Sequence, residues 1–129
     1  MKEFSKQEMA SVISVMSIVS KKVRVGYRNA IDANSLPTDL KADRRRYEDF
    51  INTVNNFHEI ESKIINNIPE EMSADEWRGF ILVCSYVGYD AERRGGPMMA
   101  IADSLAFAIE NIFLSRAQES GLRFNSFKN

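Results

Sequence analysis

The residues of this 129-residue chain best suited to chemistry are its one histidine, His58, and its one cysteine, Cys84. His58 and Glu61 lie three positions apart, which places both on one face of a helix. Bundles that hold two metal ions take a Glu-x-x-His motif from each of two helices, together with two further carboxylates. Here the order is reversed and a second histidine is missing, so we predict neither a metal site nor a His-based triad.

The remaining candidate nucleophiles are also better explained by packing. Cys84 follows the apolar run Phe80-Ile81-Leu82-Val83, which predicts a buried and unreactive thiol. A stripe of serines recurs at every third position near the N-terminus: Ser11, Ser14, Ser17 and Ser20. Such a stripe is more typical of close helix packing or of a solvent-facing surface than of an attacking hydroxyl. We therefore predict a non-enzymatic protein that needs no cofactor.

Three groups of basic residues could contact anions. Arg93 and Arg94 precede Gly95-Gly96-Pro97, where two guanidinium groups and a new helix N-terminus suit a phosphate or carboxylate. The alternative is an ordinary helix end, where arginines favour the negative end of the helix dipole. The other two groups flank the first predicted connection: Lys21, Lys22, Arg24 and Arg28 before it, and Lys41, Arg44, Arg45 and Arg46 after it.

An antiparallel hairpin would bring those two groups to one end of the protein and form a positive patch. The alternative is that both are solvated surface. The net charge of −1 lacks the basic excess typical of dedicated nucleic-acid binders. Nucleic-acid association is therefore an alternative to the preferred function, and the second alternative is a small-molecule site in the bundle core with Asp103, His58 or Tyr86 as polar handles.

Spacing of apolar residues by three and four positions predicts an all-α fold. We expect four main helices, at about 5–33, 37–67, 73–94 and 97–120, in an antiparallel bundle, because the second and third connections are short. A kink or an extra short helix in the first or second of them is the alternative. Ser5 with Glu8, and Ser73 with Glu76, predict two capping boxes. The chain is expected to form one domain over 1–129, with 122–129 as a short C-terminal tail that either docks or stays flexible.

The predicted helices carry more apolar surface than one small bundle buries. In the first helix the predicted core face comprises Met9, Val12, Met16, Val19, Val23, Gly26 and Ala30, widened by Ile13. Val15, Ile18 and Val25 lie to one side of that face. In the last helix, Phe107 and Leu114 fall on the polar strip marked by Asp103 and Glu110. Exposed apolar patches of this kind typically mark a partner surface.

These observations favour a protein-binding module, for which small inhibitors and immunity-type proteins are analogues in size and class only. The predicted anchors are Phe107, Leu114, Phe124 and Phe127, with Arg44, Arg45 and Arg46 as steering charges. The partner is another protein or a second copy of the chain, as in a homodimer. We find no apolar stretch of about 18 residues that predicts a membrane span, and Glu3 and Glu8 are unlike a signal peptide. A cytoplasmic location is therefore expected.

Overall fold

The structure, a computed structural model, describes residues 3–123. The protein is all-α, and over the described range six helices pack together without any strand. In chain order these are α1 (residues 6–32), α2 (Thr38–Ala42), α3 (Arg44–Asn55), α4 (Phe57–Ile65), α5 (Ala74–Arg94) and α6 (Gly96–Glu119). A 3-10 turn, Pro69–Glu71, precedes α5.

Two of these helices are continuous but not uniform. In α1, the α-helical stretch Lys6–Lys21 passes through the π-helical segment Lys22–Tyr27 into the α-helical stretch Arg28–Asp32. In α6, the 3-10 turn Gly96–Met98 leads into Met99–Ala108, then the π-helical segment Ile109–Phe113, and finally Leu114–Glu119. The sequence pattern predicted both rods but neither π-helical segment.

The predicted helix ends follow their capping signals. The Ser5 hydroxyl accepts from the Glu8 backbone N–H at 3.0 Å, and the Glu8 carboxylate accepts from the Ser5 N–H at 2.8 Å. The same reciprocal pair joins Ser73 and Glu76. Both predicted capping boxes are therefore confirmed, and each satisfies backbone donors that would otherwise lack partners at a helix start.

The sequence predicted one helix over 37–67, with a kink or an extra short helix as the alternative, and the chain breaks this range twice. At Asp43 the backbone is extended, and the Asp43 side chain accepts from the Arg46 N–H to cap a new helix. At Asn56 the backbone leaves helical geometry while the side-chain amide donates to the Asn52 carbonyl at 2.9 Å. Asp and Asn compete with the helix for backbone hydrogen bonds, which explains why the breaks fall at these residues.

Helix α5 lies at the centre of the core. Residues on nearly every side of it are buried: Trp77, Gly79, Phe80, Ile81, Leu82, Val83, Cys84, Tyr86, Val87 and Ala91. The Phe80 ring meets the Phe113 ring of α6 edge-on, with centroids 5.0 Å apart. The apolar sequence of α5 is therefore explained by its burial inside the chain. Exposed apolar side chains lie mainly on the outer helices.

The π-helical segments change which residues face the core. In α1 the buried residue after Val23 is Tyr27, not Gly26 as the regular spacing predicted. In α6 the extra residue in the π turn separates Leu114 from the strip of Phe107, and Leu114 packs half-buried against the core. The expected burial of Ile13 is also wrong, since its side chain is 53% exposed.

Candidate functional site

The outer face of α6 exposes large apolar side chains, among them Met99 and Phe107. Contrary to the expectation from the sequence, an 18-residue stretch of this helix is long and apolar enough to cross a membrane by length and composition, and only 28% of that stretch is buried. Core helices of water-soluble proteins pass the same test, but they are mostly buried. Helix α6 therefore combines an apolar composition with low burial.

Phe107 is the largest apolar side chain on this face, and 55% of it is exposed. It borders a groove of about 450 Å³ between α1 and α6, which is also lined by Ala10, Ser11, Ser14, Val15, Asp103 and Ser104. The first two members of the serine stripe thus form part of the α1 wall. Because these side chains are small, they leave room beside the Phe107 ring.

A second groove, of about 230 Å³, lies between α5 and α6. Tyr89 and Glu92 line its α5 wall, while Ala102, Ala106 and Glu110 belong to its α6 wall. More than half of Tyr89 is exposed, and its ring contacts the Tyr86 ring at 5.9 Å between centroids. Tyr89 was not predicted as a surface residue, because the apolar run of α5 gives no signal for which of its edges reaches the surface.

We define the α6 surface as Phe107 together with these two grooves. The charged side chains that line the grooves are Glu92, Asp103 and Glu110, and all three are acidic. The α6 surface therefore combines an exposed aromatic ring, two apolar depressions and a negative rim.

The other predicted anchors do not join Phe107 in the described structure. Leu114 packs half-buried against the core, as described above. Phe124 and Phe127 lie outside the described residues. Of the four predicted apolar anchors, the structure therefore places Phe107 on the α6 surface, and the function of that surface stays a prediction.

The predicted steering arginines lie elsewhere. Arg44 on α3 is 92% exposed and forms a loose ion pair with Glu48 at 3.5 Å. Arg45 lines a polar cleft of about 590 Å³ between α3, α4 and α5, together with the acidic residues Glu48 and Asp49. Arg46 is half-buried. This cleft shares no lining residue with the grooves of the α6 surface.

Two basic residues of α1 have carboxylate partners. Lys22 donates to Asp90 at 3.0 Å, and Arg24 donates to Glu61 at 2.6 Å. Arg93 and Arg94, predicted as a weak anion site, share the Asp90 carboxylate at 3.8 and 3.5 Å. These pairings leave less positive charge for phosphates than the sequence alone suggested.

The side chains with catalytic potential are separated from one another. His58 is exposed on α4, and Glu61 is occupied by Arg24. Cys84 is buried, and burial raises the pKa of its thiol. The Tyr86 hydroxyl donates to Asp39 at 2.9 Å, and burial with this hydrogen bond raises its pKa to about 12. Within residues 3–123, no group of three or more His, Cys, Asp or Glu side chains could hold a metal ion.

No protein-family model, no curated protein and no solved structure matches this chain.

Proposed function

We propose that the protein is a non-enzymatic binding module that docks its α6 surface onto another protein. The observation that carries this proposal is the exposure of Phe107 on an apolar helix of low burial. An aromatic ring beside well-formed depressions is typical of the residues that contribute most to binding energy at protein interfaces. Burying the ring and the flanking apolar atoms would remove that area from water and drive association.

The charges of the α6 surface favour a different protein over a second copy. Asp103 lies four positions before Phe107, and Glu110 lies three positions after it. If two copies paired their α6 helices antiparallel about Phe107, Asp103 of one would approach Glu110 of the other. Like charges across an interface weaken association, so the better partner presents Lys or Arg side chains around an apolar centre.

We propose that α1 and α6 support this surface in the antiparallel arrangement predicted from the sequence. Arg116, near the end of α6, contacts Glu8 at the start of α1. Met98, at the start of α6, shares a groove with Val25 near the end of α1. Two helices with contacts in this order run in opposite directions. Such a frame holds the groove between α1 and α6 rigidly for a partner.

A module of this kind would act as an inhibitor if the partner were an enzyme whose surface it covers. We also propose a cytoplasmic location. Nucleic-acid association receives less support, because Lys22, Arg24 and Arg44 each pair with a carboxylate. A homodimer through α6 meets the charge conflict described above. A homodimer is an outcome that light scattering distinguishes in the experiment below.

The test compares the unaltered chain with Phe107→Asp and with Ile13→Asp as a matched control. Ile13 is exposed to a similar extent, but it lines neither groove of the α6 surface. Each protein is immobilised and exposed to extract from the native host, and the retained proteins are identified by mass spectrometry. We expect a retained protein that Phe107→Asp loses and Ile13→Asp keeps, while light scattering reports a monomer. Equal retention by all three proteins would refute the role of the α6 surface.

A further inference from the structure

A separate groove lies where the end of α1 meets the end of α5 and the start of α6. It has a volume of about 450 Å³, within the roughly 300–1,000 Å³ typical of small-ligand pockets. Its apolar lining consists of Ile18, Val25, Val87, Ala91, Met98 and Ile101. Val25 is 59% exposed, although the surrounding contacts are apolar. We call this the basic groove because of the charges at its rim.

The rim carries more positive than negative charge. Lys21, Lys22 and Arg94 line it, and Arg93 lies next to Arg94. Asp90 is the carboxylate in the lining, and it is shared by Lys22, Arg93 and Arg94. The three lining cations with one lining carboxylate leave a formal excess of two positive charges. An anion placed there would complete a set of ion pairs that the chain itself leaves incomplete.

The π-helical segment of α1 forms this groove. It turns Tyr27 into the core and leaves Val25 on the outside of the same turn. Gly26 has no side chain. The aliphatic part of Lys22 packs beside the position that a Cβ at residue 26 would take, with the Lys22 Cδ 3.1 Å from that position. The Lys22 ammonium therefore reaches Asp90 across the groove instead of extending into solvent. π-helical turns within α-helices are frequent at functional sites.

We propose that the basic groove binds an anionic amphiphile, namely a single aliphatic chain that ends in a carboxylate. The chain lies on Ile18, Val25 and Met98, and the carboxylate is held by Lys21 and Arg94. The apolar lining excludes a small inorganic anion as the preferred ligand, because such an ion would leave the apolar surface in contact with water. The excess positive charge likewise excludes a cationic or uncharged chain of the same length.

The test uses the full chain and decanoate below its micelle-forming concentration, followed by calorimetry and by amide shifts in NMR spectra. We expect saturable binding with shifts at Val25, Gly26 and Ala91. Each added methylene from hexanoate to decanoate should tighten binding by roughly three- to fourfold, as expected for burial of an aliphatic chain. Decanol and decyltrimethylammonium should bind much more weakly than decanoate.

Variants locate the site. We expect Arg94→Glu and Val25→Asp each to weaken decanoate binding by roughly tenfold or more. Arg94→Glu removes one ion pair with the ligand carboxylate, and Val25→Asp removes one apolar contact with its chain. Arg44→Glu serves as the matched control for charge and Ile13→Asp for apolarity, since both positions are exposed and neither lines the groove. Circular dichroism establishes that each variant is folded.

Three results would overturn the proposal: no saturable binding of decanoate, equal binding of decanoate and decyltrimethylammonium, or unchanged binding by Arg94→Glu. Retention on anionic lipid vesicles without binding of free decanoate would also overturn it, in favour of a membrane surface. The inference is independent of the proposed function, because Phe107→Asp should leave decanoate binding unchanged.

Discussion

Arg116, near the end of α6, donates to both carboxylate oxygens of Glu8 in the first turn of α1, at 2.8 and 3.1 Å. The same guanidinium donates to the Glu3 carbonyl at 2.8 Å and lies over the Phe4 ring, 5.0 Å from its centroid. Arg116 is 4% exposed. The Arg116 side chain therefore links the beginning of the described chain to α6.

Replacing Arg116 with Met should strongly destabilise the protein. The substitution keeps the aliphatic volume but leaves Glu8 without its cation, and breaking a largely buried ion pair typically costs about 3–5 kcal/mol. The free energy of unfolding is measured by urea denaturation at neutral pH. Arg44→Met is the control, because the exposed Arg44–Glu48 pair should contribute less than about 1 kcal/mol. Equal losses for both variants would contradict the structural role of Arg116.

Glu8 should make stability depend on acid pH. The hydrogen bond from Arg116 is the main reason why the pKa of Glu8 lies below its ordinary value of 4.5. A lowered pKa in the folded state stabilises the protein above 4.5, and this contribution disappears as the pH falls through the folded pKa. Glu8→Gln should therefore lower the free energy of unfolding at neutral pH and reduce its further loss below 4.5. The measurement is a series of urea denaturations across that range, and an unchanged acid slope would refute the assignment.

Gly79 should be intolerant of any side chain. It lies where α5 crosses α3, and a Cβ there would overlap the Thr53 hydroxyl oxygen and come within 3.2 Å of the Asp49 carbonyl oxygen. Gly79→Ala should therefore destabilise the protein by roughly 1–3 kcal/mol, as overpacking of a core does. Thermal unfolding measures the loss, and Thr53→Ala in the same chain should recover part of it.

Gly88 is the matched control on the same helix. A Cβ at Gly88 would meet Leu105 Cβ at 3.7 Å, which is an ordinary contact. Gly88→Ala should therefore be neutral or stabilising by up to about 1 kcal/mol, because alanine favours a helix more than glycine does. A loss at Gly88 equal to that at Gly79 would show that the helix crossing is not the cause.

Local signals explain why most helix boundaries were predictable. The expected range 73–94 became Ala74–Arg94 and 97–120 became Gly96–Glu119, because capping residues and Gly-Pro breaks act within a few positions. The break at Asp43 falls in the stretch 38–46, which has few apolar residues, and the alternative of a kink or an extra short helix covers it. The break at Asn56 was missed, since apolar spacing continues from Val54 to Phe57 across it. Polar side chains that bond to their own backbone decide such breaks, and apolar periodicity does not register them.

The candidate sites were less predictable, because they depend on π-helical turns. Regular spacing placed Phe107 and Leu114 on one strip, but the segment Ile109–Phe113 lies between them and separates the two. The exposure of Val25 depends in the same way on the segment Lys22–Tyr27. A π-helical turn accommodates an inserted residue where tertiary packing fixes the helical turns before and after it. Because this packing is not local, no short sequence motif predicts the π-helical turn.

The π-helical segment of α6 can be tested by deletion. Asn111 is exposed within that segment. The one hydrogen bond described for its side chain is donated to the Phe107 carbonyl oxygen, at 3.0 Å. Removing Asn111 should convert the π turn into regular α-helix while both flanking faces keep their orientation. We therefore expect a folded protein with near-native circular dichroism and a cooperative thermal transition. Deletion of Ser104, exposed in the regular part of α6, should instead rotate the following residues by about 100° and turn Leu105 and Ala108 out of the core. If both deletions unfold the protein, the π turn is not an accommodated insertion.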